Sequence, residues 1–183
     1  MNELLAVAEE VGVDERTLRR AVNQGTVRAE RVSPRKLRLP YREAQYLRRH
    51  WPLLGTLRAA LRTEPNVRFA LLFGSTARGD DHEGSDVDLL VVLRDDSLGR
   101  RLDLELRLEE TLGRKVDVLR LEAAERNSTL FAMAVEEGRV LVDRIELWPR
   151  LSAEAGKLER RARRDERRLK REAFAKLDRM LAR

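Results

Sequence analysis

Apolar positions follow two different rhythms along the chain. In the middle they run together. Val67-Arg-Phe-Ala-Leu-Leu-Phe73 and Val87-Asp-Leu-Leu-Val-Val-Leu93 are short runs of branched and aromatic residues bounded by glycine or polar residues, the pattern of largely buried strands. Lys115-Val-Asp-Val-Leu119 reads as a third strand. Toward both ends the apolar residues recur at every third or fourth position instead. Leu4, Leu5, Val7 and Ala8 precede Val11-Gly12-Val13, and Asp14 then caps a second helix that carries Leu18, Ala21 and Val22 and ends near Gly25. Thr26 to Val32 and Lys36 to Leu39 alternate around Ser33-Pro34, as two short strands of a wing would. Between Arg42 and Arg62, Ala44, Leu47, Trp51, Leu54, Leu57 and Leu61 keep helical spacing around Pro52, which predicts two connecting helices with Trp51 as a packing anchor between domains. From Leu151 onward, Leu158, Ala162, Leu169, Ala173, Leu177 and Met180 or Leu181 form one apolar stripe, predicting a long amphipathic helix to Arg183.

This order predicts an α/β (α+β) protein with four parts: a helix-turn-helix or winged-helix domain over 1–46, connecting helices over 47–66, a mixed-sheet domain over 67–149 and a basic helix over 150–183. With 183 residues, 42% of them hydrophobic, the chain has enough apolar material for two small cores and a tail. The net charge of +6 is unevenly spread: Met1 to Asn66 carries +5, Val67 to Pro149 carries −6 and Arg150 to Arg183 carries +7. An acidic centre suits a cation and nucleotide site, whereas basic flanks suit nucleic acid or an acidic protein surface. The absence of cysteine excludes disulfides and thiolate metal sites. No apolar run is long enough for a signal peptide or a membrane span, so the expectation is a cytoplasmic protein with no membrane partner.

The chemistry concentrates where the first central strand ends. Gly74 breaks that strand and lets the backbone approach a ligand closely, while Ser75 is expected to cap a short helix and to offer a hydroxyl and amides to phosphate oxygens. A polar loop, Arg78 to Ser85, leads to Asp86-Val87-Asp88. Residues two apart on a strand share a face, so Asp86 and Asp88 converge and repel; Mg²⁺, bound by carboxylates and substrate phosphates, is the common remedy. Asp117, an acid amid apolar neighbours on the third strand, is the candidate third carboxylate, to complete the metal site or act as a base, because burying it alone would be costly. Arg78 is placed to meet a terminal phosphate or to be solvated; His82, flanked by Asp80, Asp81 and Glu83, is expected to be exposed.

Leu72-Phe-Gly-Ser-Thr-Ala-Arg-Gly79 followed by Ser85-Asp-Val-Asp-Leu89 resembles the signature of minimal nucleotidyltransferases of the DNA polymerase beta superfamily, and Asn127 to Asp143 is similar to the helix and closing strand that end their small members. The resemblance implies a polymerase-beta-like mixed sheet, nucleotide phosphates on Gly74 and Ser75, one or two Mg²⁺ ions on Asp86, Asp88 and Asp117, and transfer of AMP from ATP, or of another NMP, to a hydroxyl. Minimal members often act as antitoxins that modify a tyrosine of a HEPN-type ribonuclease toxin, which is the acceptor it implies. Residues 1–46 resemble small helix-turn-helix modules of MerR or excisionase type, which implies DNA contact through Arg16, Thr17, Arg19 and Arg20 on the second helix. Two alternatives remain open at this level: a DNA-binding regulator whose central domain only senses nucleotide, and a transferase acting on a small molecule such as an aminoglycoside. The Arg160 to Arg171 run could grip phosphates or could be a solvated face, with the helix packed on the body or on a partner.

Overall fold

The computed structural model describes residues 3–33 and 36–181, with side chains through Phe174. Two helices open it, α1 (Glu3–Glu10) and α2 (Glu15–Asn23). Asp14 caps α2 as its sequence predicts, accepting a 2.7 Å hydrogen bond from the Thr17 amide. The wing is much shorter than the alternation suggested. Only β1 (Glu30–Arg31) and β2 (Leu37–Arg38) pair, antiparallel. Thr26 and Val27 turn inward instead, because they have a better use: the Thr26 hydroxyl donates to the Val140 carbonyl at 2.6 Å, and the Val140 amide donates to the Gly25 carbonyl.

The expected break at Pro52 is absent. One helix, α3 (Tyr41–Arg62), runs through it. An internal proline costs about 3 kcal/mol or more, but it lies on the exposed side here, while Leu47, Leu54, Leu57 and Leu61 are fully buried on the other. Each buried leucine contributes roughly 1.5–3 kcal/mol, so the buried face outweighs the proline. Trp51 is half-buried and packs on the same core.

The central sheet contains β3 (Val67–Phe73), β4 (Val87–Leu93), β5 (Val116–Arg120) and β6 (Arg139–Asp143) in the order β5-β4-β3-β6. β3 pairs antiparallel with β4 and with β6, and β4 pairs parallel with β5, the crossover being made by α5 (Leu98–Leu112). The sheet is mixed, as predicted. Alternation along the strands feeds two apolar layers. Val87, Leu89, Val91, Val116 and Val118 face a core that also holds α3, α5 and the N-terminal Leu4, Val7, Leu18 and Ala21. Phe69, Leu71, Phe73 and Leu90 face α6 (Leu121–Glu125), α7 (Ser128–Glu137) and the final helix.

That final helix, α8, spans Leu147–Leu181. It begins four residues before Leu151 because the Asp143 carboxylate caps it, accepting from the Leu147 and Trp148 amides at 3.0 and 2.9 Å. Leu151, Leu158 and Ala162 pack toward the body, and the Ser128 hydroxyl donates to Asp165 at 2.7 Å. Beyond that point Leu169 and Phe174 are exposed. Leu177 and Met180 or Leu181 of the predicted stripe lie outside the described side chains.

Candidate active site

A turn of helix, α4 (Gly74–Arg78), follows β3 directly. No side chain caps it, so Ser75 sits inside its first turn rather than at the cap predicted for it. Gly74 is required twice over. Its φ of +73° belongs to the left-handed region, and a Cβ there would lie 2.3 Å from an Asp88 carboxylate oxygen. The glycine therefore lets the end of β3 lie against the carboxylate of β4. Thr76, fully buried, donates its hydroxyl to the Asp86 carbonyl at 3.2 Å and ties α4 to the start of β4.

Asp88 pairs in register with Phe73 on one side and Asp117 on the other. Parallel-strand partners point to one face, so Asp88 and Asp117 share it, with Asp86 two residues before Asp88. Burial, and then the negative charges of Asp117 and Asp86, push the Asp88 carboxyl above its ordinary range, against the opposing pull of Arg78 and Lys115. Asp117 departs from expectation in one respect: it is exposed, because β5 is the edge of the sheet and the site lies open there. Its exposure removes the burial penalty that made it conspicuous. Lys115, two residues before Asp117, places Nζ 3.1 Å from Asp86 Oδ2, and that contact raises the Lys115 ammonium above its usual value. Among the described residues no three acidic or imidazole groups form a closed metal cage; Asp86 is turned to Lys115.

Arg78 is engaged on the protein itself, donating to Glu137 at 2.8 Å and Asp80 at 3.1 Å. His82 is exposed, as expected, and its Nδ1 accepts from the Gly84 amide. On α2, Arg16 and Arg20 are exposed, Thr17 is half-buried and Arg19 is drawn to Glu15 at 2.5 Å. These four stand on a helix separate from the acidic site.

A family model described as "Polymerase beta, Nucleotidyltransferase" matches residues 56–147, just over half of the 183. The chain belongs to this nucleotidyltransferase family. The match opens in the second half of α3 and closes at the start of α8, so it contains every acidic site residue, excludes the basic C-terminal segment and takes in only the last eleven residues of the N-terminal one. A Methanocaldococcus jannaschii protein named "Putative protein adenylyltransferase" is 46% identical over 54 residues, which are 29% of this chain and 58% of that one, so the chain spans little more than half of this relative's length. A solved toxin-antitoxin structure with AMP-PNP superposes with a TM-score of 0.54 at 21% identity, over 66% of this chain and 98% of the other. A tri-AMPylated Shewanella oneidensis HEPN toxin in complex with its MNT antitoxin gives 0.51 at 18% identity, over 68% and 98%. At these identities the structures establish a shared fold.

For a nucleotidyltransferase the burial of Asp88 beside two further acids has a measurable cost. An acid whose folded value is raised stabilises the fold below the ordinary carboxylate range and loses that contribution as pH rises through the raised value. Asp88→Asn is therefore expected to raise Tm at neutral pH by about 2–4 °C, the shift that ~1 kcal/mol produces in a chain of this size, and to lose the gain near pH 3. Calorimetry at the two pH values checks it; an equal shift at both would mean that the ionised Asp88 carboxylate is not the cause.

Sequence reasoning missed three elements of this region. Lys115 carried a signal, since it lies two residues before Asp117 on one strand. The buried pair Glu43 and Arg139 and the buried contact between His50 and Asp81 carried only a weak one, polar residues within otherwise apolar patterns.

Proposed function

We propose that this nucleotidyltransferase moves AMP from ATP to a hydroxyl of a partner protein of the HEPN toxin class and releases pyrophosphate. The observation that carries the reading is the meeting of Gly74, Asp88 and Asp117 on three adjoining elements, with Asp86 beside them. The named adenylyltransferase relative supports adenylyl transfer, and the AMP-PNP and HEPN complexes of similar fold support the nucleotide and the partner.

Carboxylates alone, without thiolate or imidazole, are hard oxygen donors suited to Mg²⁺. Asp86, Asp88 and Asp117 would hold one or two such ions, whose chemistry when bound is to neutralise phosphate charge and to acidify an attacking hydroxyl. The chain does the rest. Gly74 and Ser75 bring backbone amides and a hydroxyl to the nucleotide phosphates, Thr76 fixes Asp86 relative to that cradle, and Lys115 supplies a counter-charge beside the acids. Arg78 reaches a phosphate only by leaving Glu137 or Asp80.

The N-terminal unit is assigned to DNA, with Arg16 and Arg20 as the exposed cations of α2. No described helix is long and apolar enough to cross a membrane; with no cysteine in the chain, the reading places the reaction in the cytoplasm.

The test is intact mass of this chain and a co-encoded HEPN-type protein after incubation with each Mg²⁺-NTP. Addition of one or more AMP masses to the HEPN protein is expected. Nucleotide binding without any mass change on either chain would favour a nucleotide-sensing regulator in its place.

A further inference from the structure

The loop joining α4 to β4 carries four acids, Asp80, Asp81, Glu83 and Asp86, yet only Asp81 is buried, at 7% exposure. Its side chain is aimed inward at α3. His50, itself 4% exposed, places Nε2 2.7 Å from Asp81 Oδ1. On the other oxygen Arg114 donates through Nη1 at 3.2 Å, and its Nη2 donates to the Ser85 carbonyl at 2.8 Å. Arg49, next to His50 on α3, donates to the Asp81 carbonyl at 3.0 Å. Burial pushes the Asp81 carboxyl up, but the hydrogen bonds and charges of His50 and Arg114 outweigh it and hold the group below the ordinary carboxylate range. An ionised Asp81 only accepts, so the short bond is donated by His50 Nε2.

The floor beneath the loop is equally specific. Tyr46 stacks on His50 with ring centroids 4.4 Å apart and planes 9° from parallel. Gly79, at φ +87°, opens the loop against that ring: a Cβ there would lie 2.9 Å from Tyr46 Cδ2. His50 Nδ1 lies 3.1 Å from the Tyr46 carbonyl. The far end of the loop is fastened by Thr76 to the Asp86 carbonyl. The loop thus starts close against Tyr46 and is held in its middle by His50, Arg49 and Arg114 and at its end by Thr76, and the end is where the first site acid stands.

We propose that His50, acting through Asp81, is a positioning residue of the nucleotidyltransferase: it holds the 79–86 loop so that Asp86 stays beside Asp88. The inference rests on the family chemistry of Asp86 and Asp88 and not on the identity of the acceptor. It assigns a catalytic purpose to the middle of α3, which lies before the first residue of the family match. Without His50 the buried Asp81 keeps Arg114 on Oδ2 but has an unsatisfied Oδ1, which favours its movement toward water and draws the loop with it.

Two isosteric substitutions separate positioning from packing. In His50→Gln the side-chain amide nitrogen reaches the place of Nε2 and keeps the bond to Asp81; in His50→Asn it reaches only the place of Nδ1. Both lose the stacking on Tyr46, and the smaller Asn leaves more empty volume, so a purely structural role predicts a loosening that spreads to the β3 and β4 amides and not one confined to the loop. Deuterium exchange of the full chain should show the 79–86 amides at near-parent protection in His50→Gln and exchanging at least tenfold faster in His50→Asn, with the β3 and β4 amides alike in both. Pyrophosphate release from Mg²⁺-ATP, assayed with the acceptor protein, should fall in kcat with little change in the KM for ATP in His50→Asn, and should be largely restored in His50→Gln. Equal loop exchange in the two variants overturns the proposal, as does unchanged protection in His50→Asn. Because exchange is read without turnover, a wrong acceptor assignment leaves this result standing.

Discussion

Replacing Asp86 and Asp88 together by asparagine is expected to lower nucleotidyl transfer by roughly 10³-fold or more, the loss of several kcal/mol of charge stabilisation at the reacting phosphates. Asparagine keeps the volume of each side chain, so the close contact of residue 88 with Gly74 and the tie from Thr76 to the carbonyl of residue 86 both survive. The fold should persist, with circular dichroism unchanged and Tm equal to the parent's or above it, since two mutually repelling charges have gone. Pyrophosphate release from Mg²⁺-ATP and intact mass of the acceptor are the readouts. Transfer at the parent rate in a folded double variant would remove these acids from the mechanism. A parallel loss of Tm would mean that they hold the fold and would leave their chemical role to the single variants.

The largest effect on stability should come from a residue away from the reacting atoms. Arg139 on β6 is 1% exposed and makes a bidentate pair with Glu43 of α3, at 2.5 and 2.9 Å. It also donates to the Ala77 carbonyl at 2.7 Å and the Thr26 carbonyl at 3.3 Å, and its guanidinium carbon lies 3.4 Å from the centre of the Tyr46 ring. One side chain thereby joins the N-terminal segment, α3, the end of α4 and the sheet edge. Removing one member of a buried ion pair typically costs about 3–5 kcal/mol, because the other charge is left buried without a partner. Arg139→Met is therefore expected to lower Tm by roughly 6–20 °C, at about 2–4 °C per kcal/mol in a chain of this size. Adding Glu43→Leu should recover part of that loss and not all of it, since the Ala77 and Thr26 carbonyls still lack their donor. Thermal melts of the two variants check the prediction; a double variant no more stable than Arg139→Met would mean that the carbonyl contacts, and not the unpaired Glu43, carry the cost.

The same buried contacts explain how residues outside the family match come to bear on the site. The Gly25 carbonyl and the Thr26 hydroxyl cover the outer edge of β6, which would otherwise expose unpaired hydrogen-bonding groups. Leu4, Val7, Leu18 and Ala21 belong to the same apolar cluster as Val87 and Leu89 in the sheet. The N-terminal helices are thus packed into the layer that supports β4. α8 differs: its first half packs on α7 and its basic second half shows Leu169 and Phe174 to solvent.

By itself the sequence determined what depends on neighbours along the chain. Val67–Phe73 and Val87–Leu93 are strands at the bounds their apolar runs predict, Asp14 caps α2, and the spacing of Gly74, Asp86 and Asp88 located the acidic site, because strand alternation, capping and glycine's backbone freedom are local properties. What required distant partners was decided by tertiary structure. Pro52 breaks no helix because four buried leucines outweigh it, the predicted wing shrinks because Thr26 bonds β6, and Asp117 proves exposed because β5 forms a sheet edge. Asp81, His50, Glu43 and Arg139 look like ordinary polar residues in the sequence. Only when the fold removes them from water must each find its partner, and that requirement is a property of the buried environment rather than of any stretch of chain.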